Sequence, residues 1–366
     1  MQHALRLAAE GIGVTDPNPR VGCVIVSSQG EVLGQGRTQQ AGGPHAEVMA
    51  LRDAQGAGRD VRGATAYVTL EPCSHHGRTG PCCDALVAAG IGRVVASCTD
   101  PNPLVGGRGF ERLRAAGVQV EVGPGAQETR ELNIGFFSRM VRGLPWVRLK
   151  VAASLDGRTA LDDGTSQWIT GEAARADGHA WRARASAVLT GIGTVLQDDP
   201  QLDVRHVATQ RQPDCVLVDS RLEIPPDARL FGPKRRLWIY TAVDDEARRQ
   251  PLQARGAEVI ATAGPGGKVD LAAMLRDLAR REVNELHVEA GFKLNGSLVR
   301  GGLVDELLVY LAPSLVGQGL GMANIGPLQA LAGVVPLHFE STGPVGDDLR
   351  IVARVRGRDS FLRANA

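Results

Sequence analysis

TLEPCSHHGRTGPC, residues 69–82, decides how the first third of the chain is read. Its first two residues close the run TAYVTL (65–70), and Pro81-Cys82 opens the Ala/Leu-rich stretch CDALVAAG. A strand thus runs into a loop and the loop into a helix, the unit from which layered α/β domains are built. Cys73, His75, His76 and Cys82, with Cys83 just beyond, are five side chains able to hold a metal. A cysteine at a helix start favours thiolate, because the helix dipole and its free N–H groups stabilise negative charge there.

The same alternation extends on both sides. VGCVIVS (21–27) and RVVASC (93–98) read as buried strands, and HALRLAAEG, HAEVMALRDA and FERLRAAG as helices. The pattern predicts an α/β domain with helices on the sheet faces. DPNP occurs at 16–19 and again at 100–103, where prolines flanking Asn fix tight turns at strand ends. Strand ends are also where α/β ligands sit, so both turns are candidates to line a pocket.

A chain of 366 residues predicts two domains. A helix in ETRELNIGFFSRMVRG gives way at Pro145 to the strand WVRLKVAAS, which places the boundary near 143–146 and the domains at 1–144 and 145–366. Beyond it, strands are expected at AVLTG, CVLVDS, RLWIYT, EVIATA, ELHVEAG, DELLVYLAP, LHFE and LRIVARVRG, with GPGGK (264–268) as a loop. Forty-one basic against forty acidic residues leave a net charge of +1, which gives no electrostatic basis for binding nucleic acid or an anionic membrane. No run of eighteen apolar residues is present, and Glu10 interrupts the N-terminal stretch where a leader would need an apolar core. Six cysteines, three of them between 73 and 83, do not make a disulfide framework; they point to a reducing, cytoplasmic setting and a metal or catalytic site.

His45-Ala46-Glu47 opens a helix, where residues two apart point in nearly opposite directions. One of the two can bind an ion while the other reaches it through water. His45 with Cys73 and Cys82 gives three ligands for zinc and leaves a fourth place for water, the catalytic pattern. A closed structural zinc, with His75 or Cys83 as fourth ligand, is the alternative, and it leaves Glu47 without a role. H-x-E followed by P-C-x-x-C is the signature of zinc deaminases of nucleobases. Here the second cysteine follows the first by nine positions, a departure from that spacing.

Together with T-x-PNP-x-VG (Thr15 to Gly22), PHAE (44–47) and TLEPCSHHGRTGPC, the longer insert closely resembles the bifunctional deaminase–reductases of riboflavin biosynthesis, over nearly the whole chain. The resemblance implies a cytidine-deaminase-like α/β/α layered domain followed by a dihydrofolate-reductase-like α/β domain. It implies zinc on His45, Cys73 and Cys82, with Glu47 as proton shuttle. His75 and His76 then line the pocket or face solvent, and Cys23, Cys83, Cys98 and Cys215 are structural.

The second half lacks G-x-G-x-x-G, so no Rossmann dinucleotide site is indicated. It carries instead a series of glycine or polar positions at strand ends: KVAASLDGRTA (150–160), SQWIT (166–170), GIGTVLQDDPQLDVR (191–205), VDS (218–220) and VEAGFKLNGSLVRGGLVDEL (288–307). The last is a strand, a glycine turn and a helix start, a geometry that offers backbone N–H groups to phosphate. These segments resemble the reductase half of the same family. That implies NADPH, held by Ala152, Trp168, Thr194, Asp198, Ser220 and the turn Gly291, Phe292, Lys293, Leu294, Asn295, Gly296 and Ser297. It implies substrate contacts at Ser166, Arg182, Leu202, Arg205 and Glu289. Arg182 and Arg205 suit a sugar phosphate, which a planar guanidinium grips bidentately. Ala290 and Phe292 depart from the family's pattern of a second glycine and a proline in this turn. Lys150 and Asp156 are polar neighbours of the cofactor strand and candidate helpers.

The implied reactions are hydrolytic deamination of 2,5-diamino-6-ribosylamino-4(3H)-pyrimidinone 5′-phosphate, then NADPH-dependent reduction of the ribosyl group to give 5-amino-6-(5-phospho-D-ribitylamino)uracil. Small-molecule pyrimidine ribosyl phosphates are the expected partners, with no nucleic acid and no membrane, and a homo-oligomer (dimer or tetramer) is expected. Two rival readings are a tRNA or nucleoside deaminase fused to a substrate-binding module, and a second domain that is a non-catalytic scaffold assembling the oligomer. An RNA editor calls for a basic groove with stacking aromatics, and 4% aromatic residues at a net charge of +1 argue against it.

Overall fold

The computed structural model describes residues 1–74, 80–103 and 105–363. The chain divides into two compact units, Met1–Gly143 joined by the end of the chain from Ser360, and Leu144–Asp359. In the closing turn Ser360–Leu362, Phe361 and Leu362 are buried, and the Arg142 guanidinium lies 5.2 Å from the Phe361 ring.

The first unit runs α1 (Gln2–Ala9), β1 (Gly22–Val26), β2 (Val32–Arg37), α2 (Ala46–Gly56), β3 (Thr65–Val68), α3 (Cys82–Ala88), β4 (Arg93–Ala96), α4 (Arg108–Ala115), β5 (Gln119–Val122), α5 (Ala126–Leu132) and α6 (Ile134–Arg142). Its sheet has the order β2-β1-β3-β4-β5. β1 is antiparallel to both of its neighbours, and β3, β4 and β5 are parallel. Helices lie close on this sheet because glycines leave room for them. A Cβ on Gly22 would meet the Ala4 carbonyl oxygen of α1 at 1.9 Å, and one on Gly34 would meet that of Ala50 in α2 at 2.2 Å. β2 (VLGQGR) and β5 (QVEV) are absent from the strands expected from sequence. Glycine is depleted in strands, and two alternating with polar residues erase the usual signal. The last helix expected in this unit is broken at Asn133, whose side chain leaves the helical path to accept from Arg20 N at 2.7 Å and donate to Arg20 O at 3.0 Å.

The second unit runs β6 (Trp146–Ser154), β7 (Arg158–Ala160), α7 (Glu172–Arg184), β8 (Ala187–Gly191), α8 (Ile192–Asp198), β9 (Asp214–Val218), β10 (Leu237–Thr241), α9 (Glu246–Ala254), β11 (Ala257–Ala261), α10 (Leu271–Arg280), β12 (Glu285–Val288), α11 (Phe292–Arg300), β13 (Glu306–Ala312), β14 (Leu320–Gly321), β15 (Leu337–Val345) and β16 (Asp348–Val355). The GPGGK stretch forms a short turn, Pro265–Gly267. Nine strands form one sheet, β11-β10-β9-β8-β12-β6-β13-β16-β15. The seven strands from β11 to β13 are parallel, and the hairpin β15–β16 is added antiparallel. A parallel sheet needs both faces covered, and the buried runs of β8 (AVLTG) and β10 (LWIYT) meet that need. Trp238, Tyr240, Met274, Leu278, Leu286 and Leu298 fill the larger core.

Strand order reverses between β8 and β6. From β8 the chain steps outward through β9, β10 and β11, then returns as β12 to pair with both β8 and β6. Ligand crevices of open α/β sheets lie outside the carboxyl ends of strands at such a reversal. Glu289, Gly191 and Ser154 stand at those ends. Beneath them, Arg148 is buried between Glu285 (2.9 Å) and Glu306 (2.5 Å), tying β12, β6 and β13 together. No helix among the described residues is long and apolar enough to cross a membrane.

Candidate active sites

In the first unit α2 and α3 each present their N-terminus to one point. His45 is the N-cap of α2, and Cys82 is the first residue of α3 after Pro81. Cys73 lies on the loop beyond β3. The His45 Nδ1 atom is 3.5 Å from Cys73 Sγ and 3.4 Å from Cys82 Sγ, and these three ligand atoms lie within 4.8 Å of one another. One imidazole and two thiolates at that spacing are the donor set of a catalytic zinc. The thiol of Cys73 is held down to about 4 by hydrogen bonding from the Cys82 thiol, with His45 and the Cys82 backbone N–H acting in the same sense. Cys82, as the donor of that pair, is raised. Glu47, one position beyond Ala46 in α2, is only 3% exposed. Burial raises its carboxyl to about 7, with the Cys73 thiolate acting in the same direction and His45 opposing it.

Cys83 is fully buried, donates its thiol to the Pro72 carbonyl at 3.1 Å, and is not part of the His45–Cys73–Cys82 cluster. Cys23, Cys98 and Cys215 are buried as well. His75 and His76 lie outside the described residues. Glu71, which sequence reasoning passed over, is buried beside the cysteine loop. It accepts backbone N–H bonds from Asp100 (3.1 Å), Gly107 (2.9 Å) and Gly109 (2.8 Å). It thereby pins the second DPNP turn against Pro72-Cys73, and its position one residue before that proline was the available signal.

In the second unit the β8–β12–β6 strand ends bring together Glu289, Arg182 and Lys150. Glu289 accepts both Nε and, at 2.9 Å, Nη2 of Arg182 from α7; Lys150 Nζ from β6 is 3.8 Å away. Burial works against ionising Glu289, but the Arg182 guanidinium wins and holds it well below the usual carboxylate range. Burial lowers Lys150, with Glu289 restoring part of its basicity. His287, two residues earlier on β12, is fully buried with Nε2 3.5 Å from the same carboxylate, and a strand's period of two was the signal for it. Arg205 forms an ion pair with Asp203, and Arg182 Nη1 donates to the Asp203 carbonyl at 2.9 Å. Leu202 is buried.

Around the glycine turn, Gly291 caps α11, whose first-turn N–H groups have no intrahelical acceptor. A Cβ on Gly291 would meet only Thr194 Oγ1, at 3.7 Å, so the space over the turn is open. An open helix start of this kind fits the phosphates of a dinucleotide. Ala290 and Phe292 do not prevent the turn, since Gly291 has extended φ −79° and ψ 170° and needs no further glycine. Ala152 pairs with Tyr310 across β6 and β13, and Ser220 Oγ accepts from Val269 N at 3.3 Å. Trp168 is 70% exposed, with the Arg175 guanidinium 4.8 Å from its ring. Asp156 binds Ser154 Oγ and the Gly317 N–H at 2.8 Å, so it closes the 154–158 turn. Among the described residues no hydrogen bond or ion pair joins Ser166, Trp168 or Asp198 to the Arg182–Glu289 pair.

The cytidine and deoxycytidylate deaminase zinc-binding region matches residues 1–98, and the RibD C-terminal domain matches residues 145–350. The riboflavin biosynthesis protein RibD of Escherichia coli K12 is 46% identical over 362 residues, covering 95% of this chain and 96% of that one. The chain belongs to the RibD family. RibD of Aquifex aeolicus is 40% identical, with 96% of each chain covered. Among solved structures, Acinetobacter baumannii RibD superposes with a TM-score of 0.89 at 40% identity, covering 96% of this chain and 97% of that one. The Thermotoga maritima diaminohydroxyphosphoribosylaminopyrimidine deaminase/5-amino-6-(5-phosphoribosylamino)uracil reductase superposes with a TM-score of 0.85 at 32% identity, with 97% of each chain covered. The fold expected from sequence, a cytidine-deaminase-like domain followed by a reductase domain, is the fold of these RibD structures. The chain is a RibD-type deaminase and reductase of riboflavin biosynthesis, and zinc and NADPH are its cofactors.

Proposed function

We propose that residues 1–144 deaminate 2,5-diamino-6-ribosylamino-4(3H)-pyrimidinone 5′-phosphate and that residues 145–366 reduce the ribosyl group of the product to ribityl. His45, Cys73 and Cys82 hold the zinc, which supplies the Lewis acidity that makes water nucleophilic near neutral pH. Glu47, buried beside the cluster, would carry the proton from the attacking water to the departing amine. NADPH supplies the hydride. Gly291 to Ser297, Thr194, Asp198, Ser220, Ala152 and Trp168 bind the cofactor, and Ser166, Arg182, Leu202, Arg205 and Glu289 bind the substrate. Arg182, oriented by Glu289, faces a sugar phosphate or its hydroxyls with a fixed guanidinium plane. The observation that carries this reading is the joining, in one chain, of the His45–Cys73–Cys82 cluster beside buried Glu47 to the Arg182–Glu289–Lys150 cluster at the strand reversal.

The substrates are small molecules, and six free cysteines support a reducing, cytoplasmic setting. A homo-oligomer is supported by the open edge of the nine-stranded sheet. Metal analysis and turnover of Glu47→Gln test the assignment. The variant keeps its zinc, loses deaminase turnover by roughly 10²–10⁴, and still oxidises NADPH when given the deaminated pyrimidine ribosyl phosphate. Retained deamination removes the shuttle role, and no NADPH oxidation by the parent protein removes the reductase reading.

A further inference from the structure

Between α8 and β9, five consecutive residues have their backbone held by side chains rather than by a strand ladder. The path begins at Asp199 (φ 38°) and passes Leu202 (φ 50°), both left-handed. Arg235, on the loop before β10, donates Nη1 to the Leu202 carbonyl at 2.6 Å and Nη2 to the Gln201 carbonyl. Arg182 donates to Asp203 O, and His179 Nδ1 accepts from Arg205 N at 3.2 Å. The Gln212 amide brackets Val204: Oε1 accepts from Val204 N at 2.7 Å and Nε2 donates to Val204 O at 3.0 Å. That is the pairing a neighbouring strand would provide, supplied by one side chain.

Connecting loops ordinarily satisfy such groups with water and move. A left-handed leucine costs about 1–2 kcal/mol, so the path at 201–205 persists because its surroundings over-determine it. Leu202 is anchored in the core at 5% exposure, while the Arg205 side chain remains 46% exposed. The clamp therefore fixes the backbone beneath a half-exposed guanidinium that Asp203, itself held in the clamp, pairs on one side.

We propose that Gln212 and Arg235 are positioning residues of the reductase: by immobilising 201–205 they hold Arg205 where it grips the phosphate of the sugar phosphate substrate. Neither residue touches substrate; each acts through the loop, and the gain is ordering entropy already spent before binding. The proposal rests on the reading of Arg205 as a substrate contact.

Steady-state kinetics of the full chain test it, with the deaminated pyrimidine ribosyl phosphate varied at saturating NADPH and the reverse. Arg205→Ala is the reference and raises the KM for the phosphorylated substrate roughly tenfold. Gln212→Ala and Arg235→Ala raise that KM about three- to tenfold. Arg235→Lys, which keeps one donor, falls between Arg235→Ala and the parent and guards against misfolding of the alanine variant. The KM for NADPH and the deaminase rate stay within about twofold of the parent. With dephosphorylated substrate, the variants and the parent converge, which a merely structural defect would not produce. If Arg205→Ala raises the KM while Gln212→Ala and Arg235→Lys leave it unchanged, the positioning role is overturned. If Arg205→Ala itself leaves it unchanged, the reading of Arg205 falls and the proposal with it.

Discussion

One tight steric constraint near the His45–Cys73–Cys82 cluster is Gly36 of β2. It pairs with Cys23 in β1, and a Cβ there would meet Met49 Cβ at 2.5 Å, Ala50 N at 2.6 Å and Ala46 O at 2.8 Å. Two of the three atoms are backbone of α2, so no rotamer change relieves the clash; the helix itself must move. Its N-terminus carries His45 and Glu47, which must keep their places to about half an ångström for the site to work. Gly36→Ala is therefore expected to cost about 1–3 kcal/mol of stability through overpacking and to lower both bound zinc and deaminase turnover. Reduction by the second unit, measured as NADPH oxidation, stays at the parent rate and serves as the internal control. Full zinc content with normal deamination would show that the helix has room to spare. At this scale the grouping of His45, Cys73 and Cys82 was legible in the sequence because His and Cys are rare and their chemistry is specific. Gly36 was not, because a glycine's purpose is set by the distant helix lying over it.

Among the elements, α7 carries the most of the second site on one face. Arg182 reaches Glu289 and Asp203, and three residues earlier His179 accepts from Arg205 N. Its ring meets that of His206 edge-on at 4.5 Å. Burial first, then Arg182, His206 and Arg205, lower His179 from 6.5 to about 4. The neutral ring is thus the folded form, while the unfolded chain takes up a proton near 6.5. Between these values the unfolded state binds more protons, so stability falls as pH drops from about 6.5 to about 4. His179→Asn keeps an acceptor near the position of Nδ1 and removes the titration. Compared across that window, the parent should lose about 1–2 kcal/mol more than the variant, a few degrees in melting temperature. Parallel melting curves would refute a neutral His179. The helix that carries this residue, and the clamp it belongs to, were the least legible part of the site. HAWRARAS equally describes a solvated helix face, and the partners at 203, 205 and 289 are brought to it only by the fold. The parallel strands, by contrast, were readable one by one, because strands such as β8 and β10, buried on both faces, are near-continuous apolar runs. Their order was not, since β12 returns between β8 and β6 through contacts the local pattern does not encode.

At the scale of the whole molecule, each site is framed within one compact unit, and what the chain leaves exposed concerns its assembly. The nine-stranded sheet of the second unit ends in β15, a nine-residue strand paired on one side only. Long open edges are templates for further pairing, and native chains blunt or cover them. Pro344 blunts only the far end of β15; Phe339, in its first half, is 71% exposed. Leu331, Val334 and Val335, on the segment leading into it, are exposed too. Scattered apolar residues need no explanation, but apolar residues concentrated along an open edge mark an interface. A second copy of this chain is the occupant that fits, because two copies of one edge strand pair antiparallel across a two-fold axis and each covers the other. Sedimentation of the parent protein is then expected to give at least twice the mass of one chain. Phe339→Asp places a charge within that contact and shifts the equilibrium toward single chains at micromolar concentration. Deamination in the variant continues, because His45, Glu47, Cys73 and Cys82 all belong to the first unit and none comes from a partner. A parent protein sedimenting as a single chain, or a variant of unchanged mass, would remove β15 as the contact.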